Sequence, residues 1–522
     1  MDFHNHLPRA LYTAAQTREL DRIAIEEAGM DAFGLMHRAG QVALGALLER
    51  WPQVRQIRIY AGNGNNGGDG YVVAALARQQ GLQVRLWQVG DHSCLAGAAA
   101  RAAALAASHE VPVAAFSGNE TAPDPLSGSQ TVTVDALLGT GVNRSLDGDH
   151  AAAVRSINGG ATPVLALDIP SGLCSDTGKV LGVAVRADVT VTFIAVKRGM
   201  LTAAGVDHCG EILHHDLDVP AAVFQSRSAP VAGCQRIDMA GLSRLIRRRS
   251  PAAHKGDFGH VVVVGGDLGY GGAVIMAGQA ALRAGSGLVS VITRLAHVAP
   301  ALTRQPELMA LAADSVDERV RSILARASVL VVGPGLGRGQ WALEMLQAAL
   351  AAQTRSRCPM VLDADALNLL AERGHAENRA RRTDWVLTPH PGEAARLLET
   401  DTATVQADRF AAVAALHERW GGHWVLKGAG SLLCSGSPPE HPLQLCTEGN
   451  AGMASGGMGD VLSGIIGGLL AQGWSPPQAL SLGVCVHGES ADLAAADGGQ
   501  RGLAATDLMP WIRRLLNAGE GR

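Results

Sequence analysis

Short apolar runs that end in glycine, asparagine or aspartate recur along the whole chain. In the first half, residues 56–61 alternate between polar and apolar positions, and in the second half residues 261–264 are four consecutive valines. Alanine-rich segments at 71–80 and 273–285 follow two of these runs. This alternation of strand and helix patterns predicts mostly parallel sheets that are covered by helices on both faces.

The pattern predicts a series of short strands in each half of the chain. These strands lie at 56–61, 84–89, 131–135, 164–168 and 189–195 in the first half, and at 261–264, 288–292, 329–332, 360–362, 385–387 and 424–427 in the second. Helices are predicted at 71–80 and 273–285. Helical spacing from 17 to 51 is expected to break at Gly29, Gly34 and Gly40. The predicted fold class is therefore α/β.

Length and composition indicate more than one domain. The chain has 522 residues, of which 47% are hydrophobic and 18% charged, so it can form large cores. Residues 219–236 lack a regular pattern and include Pro220 and Pro230, as expected of a connecting segment. We therefore expect a first domain at 1–225, a linker at 226–236 and a second domain at 237–522.

Charge, aromatic content and cysteine positions exclude several functional classes. A net charge of −4 and an aromatic content of 4% give no case for nucleic-acid binding. The eight cysteines are dispersed, and no pair is close enough in sequence to indicate a zinc knuckle or a redox pair. Residues 1–6 carry no secretory signal, and no apolar run approaches the roughly 20 residues of a membrane span. These features predict a cytoplasmic protein.

A glycine-rich stretch at 449–470 carries the clearest candidate chemistry. Gly456, Gly457 and Gly459 lack the Cβ atoms that would keep a backbone from closing round an anion, and N–H groups at a following helix N-terminus can bind a phosphate. A carboxylate repels an anion, so Asp460 indicates either a general base for a hydroxyl that attacks phosphorus or a helix N-cap. The Walker pattern is absent, so we expect phosphate binding at this loop.

A second polar glycine loop, residues 62–70, lies between a predicted strand and a predicted helix. Gly62, Gly64 and Gly67 match the dinucleotide fingerprint by spacing alone, which is weak evidence. The loop also contains three asparagines and Asp69, whose oxygens and amides suit polar ligand contacts or an oxygen-coordinated cation. The alternative is a turn that is rich in Asn and Gly for conformational reasons.

Three predicted strands deliver Asn66, Asp135 and Asp168 to one edge of the first sheet. Ligands of open α/β sheets bind beyond the carboxyl ends of the strands. A single aspartate there could simply cap a turn, whereas three polar residues together favour a site. His390 lies on a stiff turn between two prolines after a strand of the second half, and it is expected either to contact a ligand or to be structural.

Several motifs resemble those of a known family. The second half resembles the ribokinase-like fold, and more closely the ADP-dependent NAD(P)H-hydrate dehydratases, through residues 255–259, 333–335, 363–368, 388–393 and 449–464. The first half resembles the NAD(P)H-hydrate epimerases through residues 65–69, 135, 139–141 and 168–172. In this order, the halves resemble the fused nicotinamide-nucleotide repair enzymes of the YjeF family over nearly the whole chain. The resemblance implies two three-layer α/β/α domains, a Rossmann-like one followed by a ribokinase-like one.

The resemblance also implies site residues in both halves. In the first half it implies Asp168 as the catalytic acid/base, a potassium site at Asn66, Asp135 and Ser171, and substrate binding by Asn65, Asn66, Gly67, Gly68, Asp69, Gly139, Thr140, Gly141, Val142, Asn143, Arg144 and Ser145. In the second half it implies Asp460 as the catalytic base, binding of the hydrated substrate by Ala273, Gly335 and His390, and nucleotide binding by Lys427, Gly428, Ala429, Gly430, Ser431, Gly456, Gly457, Met458 and Gly459.

The implied function is the repair of hydrated NADH and NADPH, the compounds NADHX and NADPHX. The first half would interconvert their R and S epimers with K⁺ as cofactor. The second would dehydrate the S form with ADP and Mg²⁺, releasing AMP and phosphate. The runner-up is a ribokinase-like kinase of a small hydroxymethyl substrate, with a non-catalytic first domain. We expect a homo-oligomer with no nucleic-acid or membrane partner, and ADP rather than ATP follows from the resemblance alone.

Overall fold

The computed structural model describes residues 7–93, 95–118, 130–373 and 382–517, so residues 1–6 and Cys94 lie outside the described part. The chain divides into two compact units, Met1–Cys234 and Gln235–Arg522. Both contain parallel sheets and helices, which confirms the α/β class. The expected absence of regular structure at 219–236 is wrong at both ends, where a short helix and a strand form. The linker at 226–236 stays a prediction.

The first unit is built on a parallel sheet of seven strands. The strands of this unit are β1 (Ala10–Tyr12), β2 (Gln56–Ala61), β3 (Gln83–Gln88), β4 (Val113–Ala115), β5 (Thr131–Ala136), β6 (Val164–Leu167), β7 (Val189–Phe193), β8 (Val196–Lys197) and β9 (Glu211–His215). Its helices are α1 (Ala14–Arg22), α2 (Ala32–Arg50), α3 (Asn65–Gln79), α4 (Gly97–Ser108), α5 (Gly148–Gly159), α6 (Gly205–His208) and α7 (Ala221–Gln225). The sheet order is β4–β3–β2–β5–β6–β7–β9, and β1 pairs separately with β8.

The register of this sheet brings the three predicted strand ends together. Ala61 of β2 lies opposite Ala136 of β5, and Asp135 of β5 lies opposite Ala166 of β6. The loops that follow these strands therefore leave the sheet at one edge, which confirms the predicted convergence.

Close packing between helices explains where α2 and α3 differ from the predicted pattern. Helix α3 begins at Asn65, inside the predicted loop, so that part of the loop prediction is wrong. The predicted break occurs at Gly29, where φ is +70°, whereas Gly34 and Gly40 lie within α2. A Cβ on Gly40 would lie 2.7 Å from Cβ of Val72 in α3, so this glycine allows close contact between the helices and does not interrupt one.

The second unit contains a larger sheet. The strands of this unit are β10 (Cys234–Ile237), β11 (His260–Val264), β12 (Leu288–Thr293), β13 (Met309–Ala312), β14 (Val329–Val332), β15 (Met360–Leu362), β16 (Trp385–Leu387), β17 (His423–Leu426), β18 (Ser431–Cys434) and β19 (Leu443–Cys446). Its helices are α8 (Met239–Leu242), α9 (Gly271–Ala284), α10 (Val298–Arg304), α11 (Glu318–Ala325), α12 (Gln340–Ser356), α13 (Ala364–Arg373), α14 (Pro391–Leu398), α15 (Thr402–Ala407), α16 (Arg409–Trp420), α17 (Met458–Ala471), α18 (Pro476–Gly498) and α19 (Met509–Leu515). The order β13–β12–β11–β14–β15–β16–β17–β18–β19 is parallel up to β17, and β18 is antiparallel to both neighbours.

Helix α17 packs closely against α9 in the core of this unit. A Cβ on Gly464 would lie 2.7 Å from Cβ of Ala280, and one on Gly468 would lie 2.8 Å from Cβ of Ala284. Larger side chains at either glycine would force the helices apart. The small residues after Asp460 therefore fix the position of α17, and with it the position of its N-terminal turn.

Candidate active sites

A cavity of about 590 Å³ opens in the first unit where the loops after β2, β5 and β6 leave the sheet. Its lining includes the predicted residues Asn65, Asn66, Asp69, Gly139, Thr140, Gly141, Val142, Asn143, Arg144, Ser145 and Asp168. Gly67 and Gly68 do not line it. Gly68 packs against Met36 of α2, and the predicted substrate contact of both glycines stays a prediction.

Asp168 takes part in an ion pair that no sequence motif indicated. The fully buried ammonium of Lys197 donates to the Asp168 carboxylate and, at 2.9 Å, to Thr192 Oγ1. Asp168 has a φ of +65°, a left-handed conformation that costs a non-glycine residue on the order of 1 kcal/mol or more. Because 18% of the Asp168 side chain is exposed, its carboxylate reaches the cavity while Lys197 holds it from the protein interior.

Two further carboxyl groups line the same cavity. Burial raises the pKa of Asp21 in α1 to about 6, against the charge of Lys197. Burial, followed by the charges of Asp168 and Asp21, raises the pKa of Asp69 well above its ordinary value. The cavity therefore places Asp69, whose pKa is raised, beside the Lys197–Asp168 ion pair.

The predicted potassium ligands surround the loop after β5. The buried Asp135 carboxylate accepts hydrogen bonds from Ser171 N at 2.8 Å and from Ser171 Oγ at 2.7 Å. Ser171 Oγ also bonds Leu138, and the next residue, Gly139, packs against Asn66. Within the described residues, Asn66 is 7% exposed and has no hydrogen-bond partner on Oδ1 or Nδ2. A buried amide oxygen that lacks a partner, close to a buried carboxylate and hydroxyl, fits a hard cation.

In the second unit, the predicted catalytic residue Asp460 lies in the first turn of α17. Gly457 is the N-cap and has a φ of +92°, so the alternative interpretation of Asp460 as the cap is wrong. Burial raises the pKa of Asp460 to about 7, with the charge of Asp363 adding to the rise and Lys427 opposing it. A carboxyl group that titrates near neutral pH is suited to general-base catalysis.

Lys427, a predicted nucleotide ligand, lies against the same turn. Its Nζ donates to Asp363 Oδ1 at 2.9 Å, and a Cβ built on Gly459 would lie 3.1 Å from that Nζ. Asp363 also accepts from Thr388 Oγ1 and Ser463 Oγ, each at 2.8 Å. Burial acts to raise the pKa of Asp363, but Lys427 and these hydrogen bonds outweigh it, and the pKa lies below its ordinary value. The charged Asp363 therefore anchors the ammonium at the glycine loop.

His390 caps helix α14 beside this cluster. Its Nδ1 accepts from Gly392 N at 2.9 Å, and its Nε2 lies 3.3 Å from Glu393 Oε1. Burial lowers the pKa of His390 and raises that of Glu393 to about 7, and Glu393 Oε2 lies 3.9 Å from Lys427 Nζ. His390 thus has the structural role that the sequence left open, and its contact with substrate stays a prediction.

A buried arginine shapes the predicted nucleotide segment that begins at Lys427. Arg409 is 1% exposed and donates to the carbonyl oxygens of Lys427 at 3.4 Å and of Gly430 at 3.3 Å. Gly428 and Gly430 have φ values of +139° and +64°, so the bend between β17 and β18 depends on glycine. Gly428 and Ala429 are exposed, so this bend lies at the surface of the unit.

Ala273 and Gly335, predicted to contact the hydrated substrate, lie against each other. A Cβ on Gly335, where φ is +57°, would lie 3.1 Å from Cβ of Ala273. A cavity of about 1270 Å³ in this unit is lined instead by an arginine-rich segment at 244–249 and by the ends of α9 and α17, and it contains none of the predicted site residues.

Lys197, Asp21 and Asp363 are functional candidates whose roles no motif assigned. Lys197 and Asp363 each follow the apolar core of a strand, and that position was the available signal. Asp21 lies within α1, where nothing in the local sequence distinguishes it from an ordinary solvated helix residue.

Two family models match the chain. The model described as YjeF-related protein N-terminus matches residues 32–199, within the first unit. The model described as NAD(P)H-hydrate dehydratase matches residues 261–514, within the second.

Curated relatives match over nearly the whole length. A bifunctional NAD(P)H-hydrate repair enzyme of Coxiella burnetii is 45% identical over 97% of this chain and 99% of its own. The Escherichia coli enzyme of the same description is 42% identical over 98% of this chain and 95% of its own. A solved structure of a ribokinase-like superfamily protein from Enterococcus faecalis is 28% identical, with a TM-score of 0.49, and covers 55% of this chain and 96% of that one.

Proposed function

The chain belongs to the family of bifunctional NAD(P)H-hydrate repair enzymes, and on that premise we propose how its residues carry the two reactions. The second unit dehydrates the S form of hydrated NADH or NADPH with ADP, and the first unit interconverts the R and S forms. The observation that carries the proposal is Asp460, a carboxyl group with a pKa of about 7 beside the Lys427 ammonium at the N-terminus of α17. The kinase alternative explains this loop alone, whereas the family accounts for both halves of the chain.

Dehydration begins with activation of the substrate hydroxyl, because hydroxide is a poor leaving group. Asp460 takes the hydroxyl proton as the oxygen attacks the terminal phosphorus of ADP, and AMP leaves. Backbone N–H groups at residues 456–459 bind the phosphoryl group as it moves. The ring nitrogen then expels phosphate, and loss of a proton from the neighbouring carbon restores the double bond of the reduced nicotinamide.

Lys427 supports this transfer from its position against the first turn of α17. Its side chain is 21% exposed, and Asp363 holds its ammonium beside Gly459, where it offsets the negative charge of the transferring group. The same charge lowers the pKa of Asp460, which keeps the base partly ionised near neutral pH.

The proposed Mg²⁺ fits the donor set of this cluster. Asp363 accepts three hydrogen bonds and Glu393 accepts one, so Glu393 has the less occupied oxygens and would hold the ion along with the nucleotide phosphates. Mg²⁺ is commonly held in this way, by one or two carboxylates, substrate phosphates and water. When bound, it would neutralise phosphate charge.

Epimerisation in the first unit uses Asp168 as acid and base. Asp168 passes a proton from the hydrogen-bonded Lys197 ammonium to the hydroxyl, which leaves as water, and the ring nitrogen stabilises the resulting cation. Water then adds to the other face of the ring and returns a proton to Asp168. Lys197 keeps the carboxylate in position, and Arg18 and Arg144 on the cavity lining suit the substrate phosphates.

The proposed K⁺ would be held by Asn66, Asp135 and Ser171. The Asn66 oxygen without a partner supports this assignment. When bound, the ion would offset the buried charge of Asp135 and orient Asn66 at the edge of the cavity.

Incubation of the full chain with mixed NADHX epimers and either ADP or ATP tests the proposal. We expect reduced-nicotinamide absorbance to return with ADP until both epimers are consumed, with AMP and phosphate released in equal amounts. A phosphorylated product that accumulates without elimination would contradict it and favour the kinase alternative.

Two further expectations remain predictions. Among the described residues, no helix combines the length and apolarity that a bilayer crossing requires. The first expectation is the cytoplasmic location, which rests on the dispersed cysteines of the sequence. The second expectation is a homo-oligomer, which sedimentation of the purified chain can test.

A further inference from the structure

Two cysteines that are distant in sequence meet inside the second unit. Cys446 ends β19 and Cys485 lies in α18, 39 residues later, yet their sulfur atoms are 3.7 Å apart. Both are free thiols, with exposures of 1% and 0%. The expectation that no cysteine pair forms a metal or redox site rests on spacing in the sequence. The fold brings these two distant cysteines into contact, so that spacing no longer argues against such a site.

A carboxylate completes the cluster. Glu448 Oε2 lies 3.9 Å from Cys446 Sγ, and one ligand atom from each of the three side chains lies within 4.8 Å of the others. The second oxygen, Oε1, accepts the backbone N–H of Met239 at 2.6 Å, which orients the carboxylate. A Cβ on Gly488 would lie 2.8 Å from Cβ of Glu448, so glycine there lets α18 approach.

The spacing of these atoms matches a tetrahedral metal site. Two thiolates bound to zinc at about 2.3 Å with tetrahedral angles lie about 3.8 Å apart, and a thiolate and a carboxylate oxygen lie about 3.5 Å apart. The observed separations are 3.7 Å and 3.9 Å. Two thiols in simple contact would also lie this close, so the carboxylate beside them is the feature that distinguishes a metal site.

The surroundings supply the other features of a metal site. The Met239 N–H is an outer hydrogen-bond partner of the kind that fixes metal ligands. Glu448 is only half-buried, so an ion can reach the cluster from its side, and water would be the fourth ligand.

We propose that Cys446, Glu448 and Cys485 bind one thiolate-preferring divalent metal ion such as zinc. Binding replaces the two thiol protons and any proton on Glu448, so protons are released as the ion enters. No redox change is involved.

The role of this metal is structural. The chain passes from Glu448 directly to Gly449 and Asn450, which donate to the two oxygens of Asp492 in α18, at 2.8 Å each. An ion held by β19 and α18 would therefore fix the start of the stretch that leads into the glycine loop. Metal binding should raise the melting temperature of the second unit.

Cobalt titration tests the site directly. The tag-free full chain is treated with chelator and reductant, freed of both, and titrated with Co²⁺, whose thiolate complexes give a charge-transfer absorption band. We expect the band to saturate at one equivalent and to disappear when Zn²⁺ is added.

Single variants provide the comparison. Cys446→Ser and Cys485→Ser should each weaken the band and lower Co²⁺ affinity by at least about tenfold, and Glu448→Gln should lower the affinity with the two thiols intact. The control is Cys434→Ser, which alters another buried free thiol of the same unit and should leave the titration unchanged. Dehydration activity and melting curves without metal verify that each variant is folded.

Two results would overturn the proposal. One is the absence of a thiolate band in the reduced wild-type chain, or a band that persists in both cysteine variants. The other is a Cys446–Cys485 disulfide in a chain that binds no metal when reduced, which would identify a redox pair instead.

Discussion

Replacing Asp460 by asparagine should stabilise the second unit at alkaline pH while it removes dehydration activity. The structure raises the pKa of this carboxyl group from 3.8 to about 7, chiefly through burial. The difference corresponds to about 4 kcal/mol, since a tenfold change in an acid dissociation constant is worth about 1.4 kcal/mol. The charged form of Asp460 therefore lowers the stability of the fold, and the proposed catalytic role explains why a carboxylate is present there.

Proton binding by Asp460 determines whether stability rises or falls with pH. Between about pH 4 and pH 7 the folded chain holds the Asp460 proton and the unfolded chain does not, so stability falls as pH rises through this range and levels off above it. An asparagine at this position does not titrate, so the variant does not lose this stability as pH rises. The expected gain of the variant is about 1.6 kcal/mol at about pH 5 and about 4 kcal/mol at about pH 8.

Scanning calorimetry of both proteins at the two pH values measures the effect. Because the units can unfold separately, the transition that shifts on addition of ADP is assigned to the second unit. Asp497→Asn, at an exposed position of α18, is the matched control and should show no gain at either pH. An Asp460→Asn variant with the same gain at both pH values, or one that is destabilised at about pH 8, would refute the reasoning.

The remaining predictions concern the two reactions. Lys427→Met should raise the pKa of Asp460 and shift the alkaline rise of the dehydration rate to higher pH, because the lysine charge lowers that pKa; a pH–rate profile that does not move would contradict it. Asp168→Ala should leave one NADHX epimer unconsumed, as chromatography of the residual substrate would reveal; full consumption, once spontaneous epimerisation is subtracted, would exclude the assigned role. Asn66→Leu should remove any dependence of epimerisation on K⁺ while dehydration continues at the wild-type rate; a potassium response equal to that of the wild type would argue against the cation site.

The strands and the topology of the sheets were largely predictable from the sequence. Buried parallel strands are short apolar runs bounded by turn residues, so β2, β14, β15 and β16 have the predicted bounds. The start of α3 at Asn65 was not predictable, because glycines that allow helices to pack look the same in sequence as glycines that form a loop. The contacts of Gly68 with Met36 and of Gly40 with Val72, which exist only in the folded chain, distinguish the two.

The candidate sites divide in a similar way. Asp460, Asp168 and their glycine-rich neighbours are visible because chemistry and backbone constraints coincide within a few residues of sequence. Lys197 and Cys485 are not, because each matters only through a partner that lies many residues away. Burial, which places the pKa of Asp460 near 7, is likewise a property of the folded chain.

The central claim is that Asp460 removes the hydroxyl proton while the backbone of residues 456–459 holds the phosphoryl group. Single-turnover reactions of the wild-type chain and of Asp460→Asn with (S)-NADHX and ADP, alongside ADP binding by calorimetry, test it most directly. The account predicts that the variant binds ADP with an affinity close to that of the wild type but releases no AMP and restores no reduced-nicotinamide absorbance. AMP release and NADH recovery by the variant at the wild-type rate would contradict it.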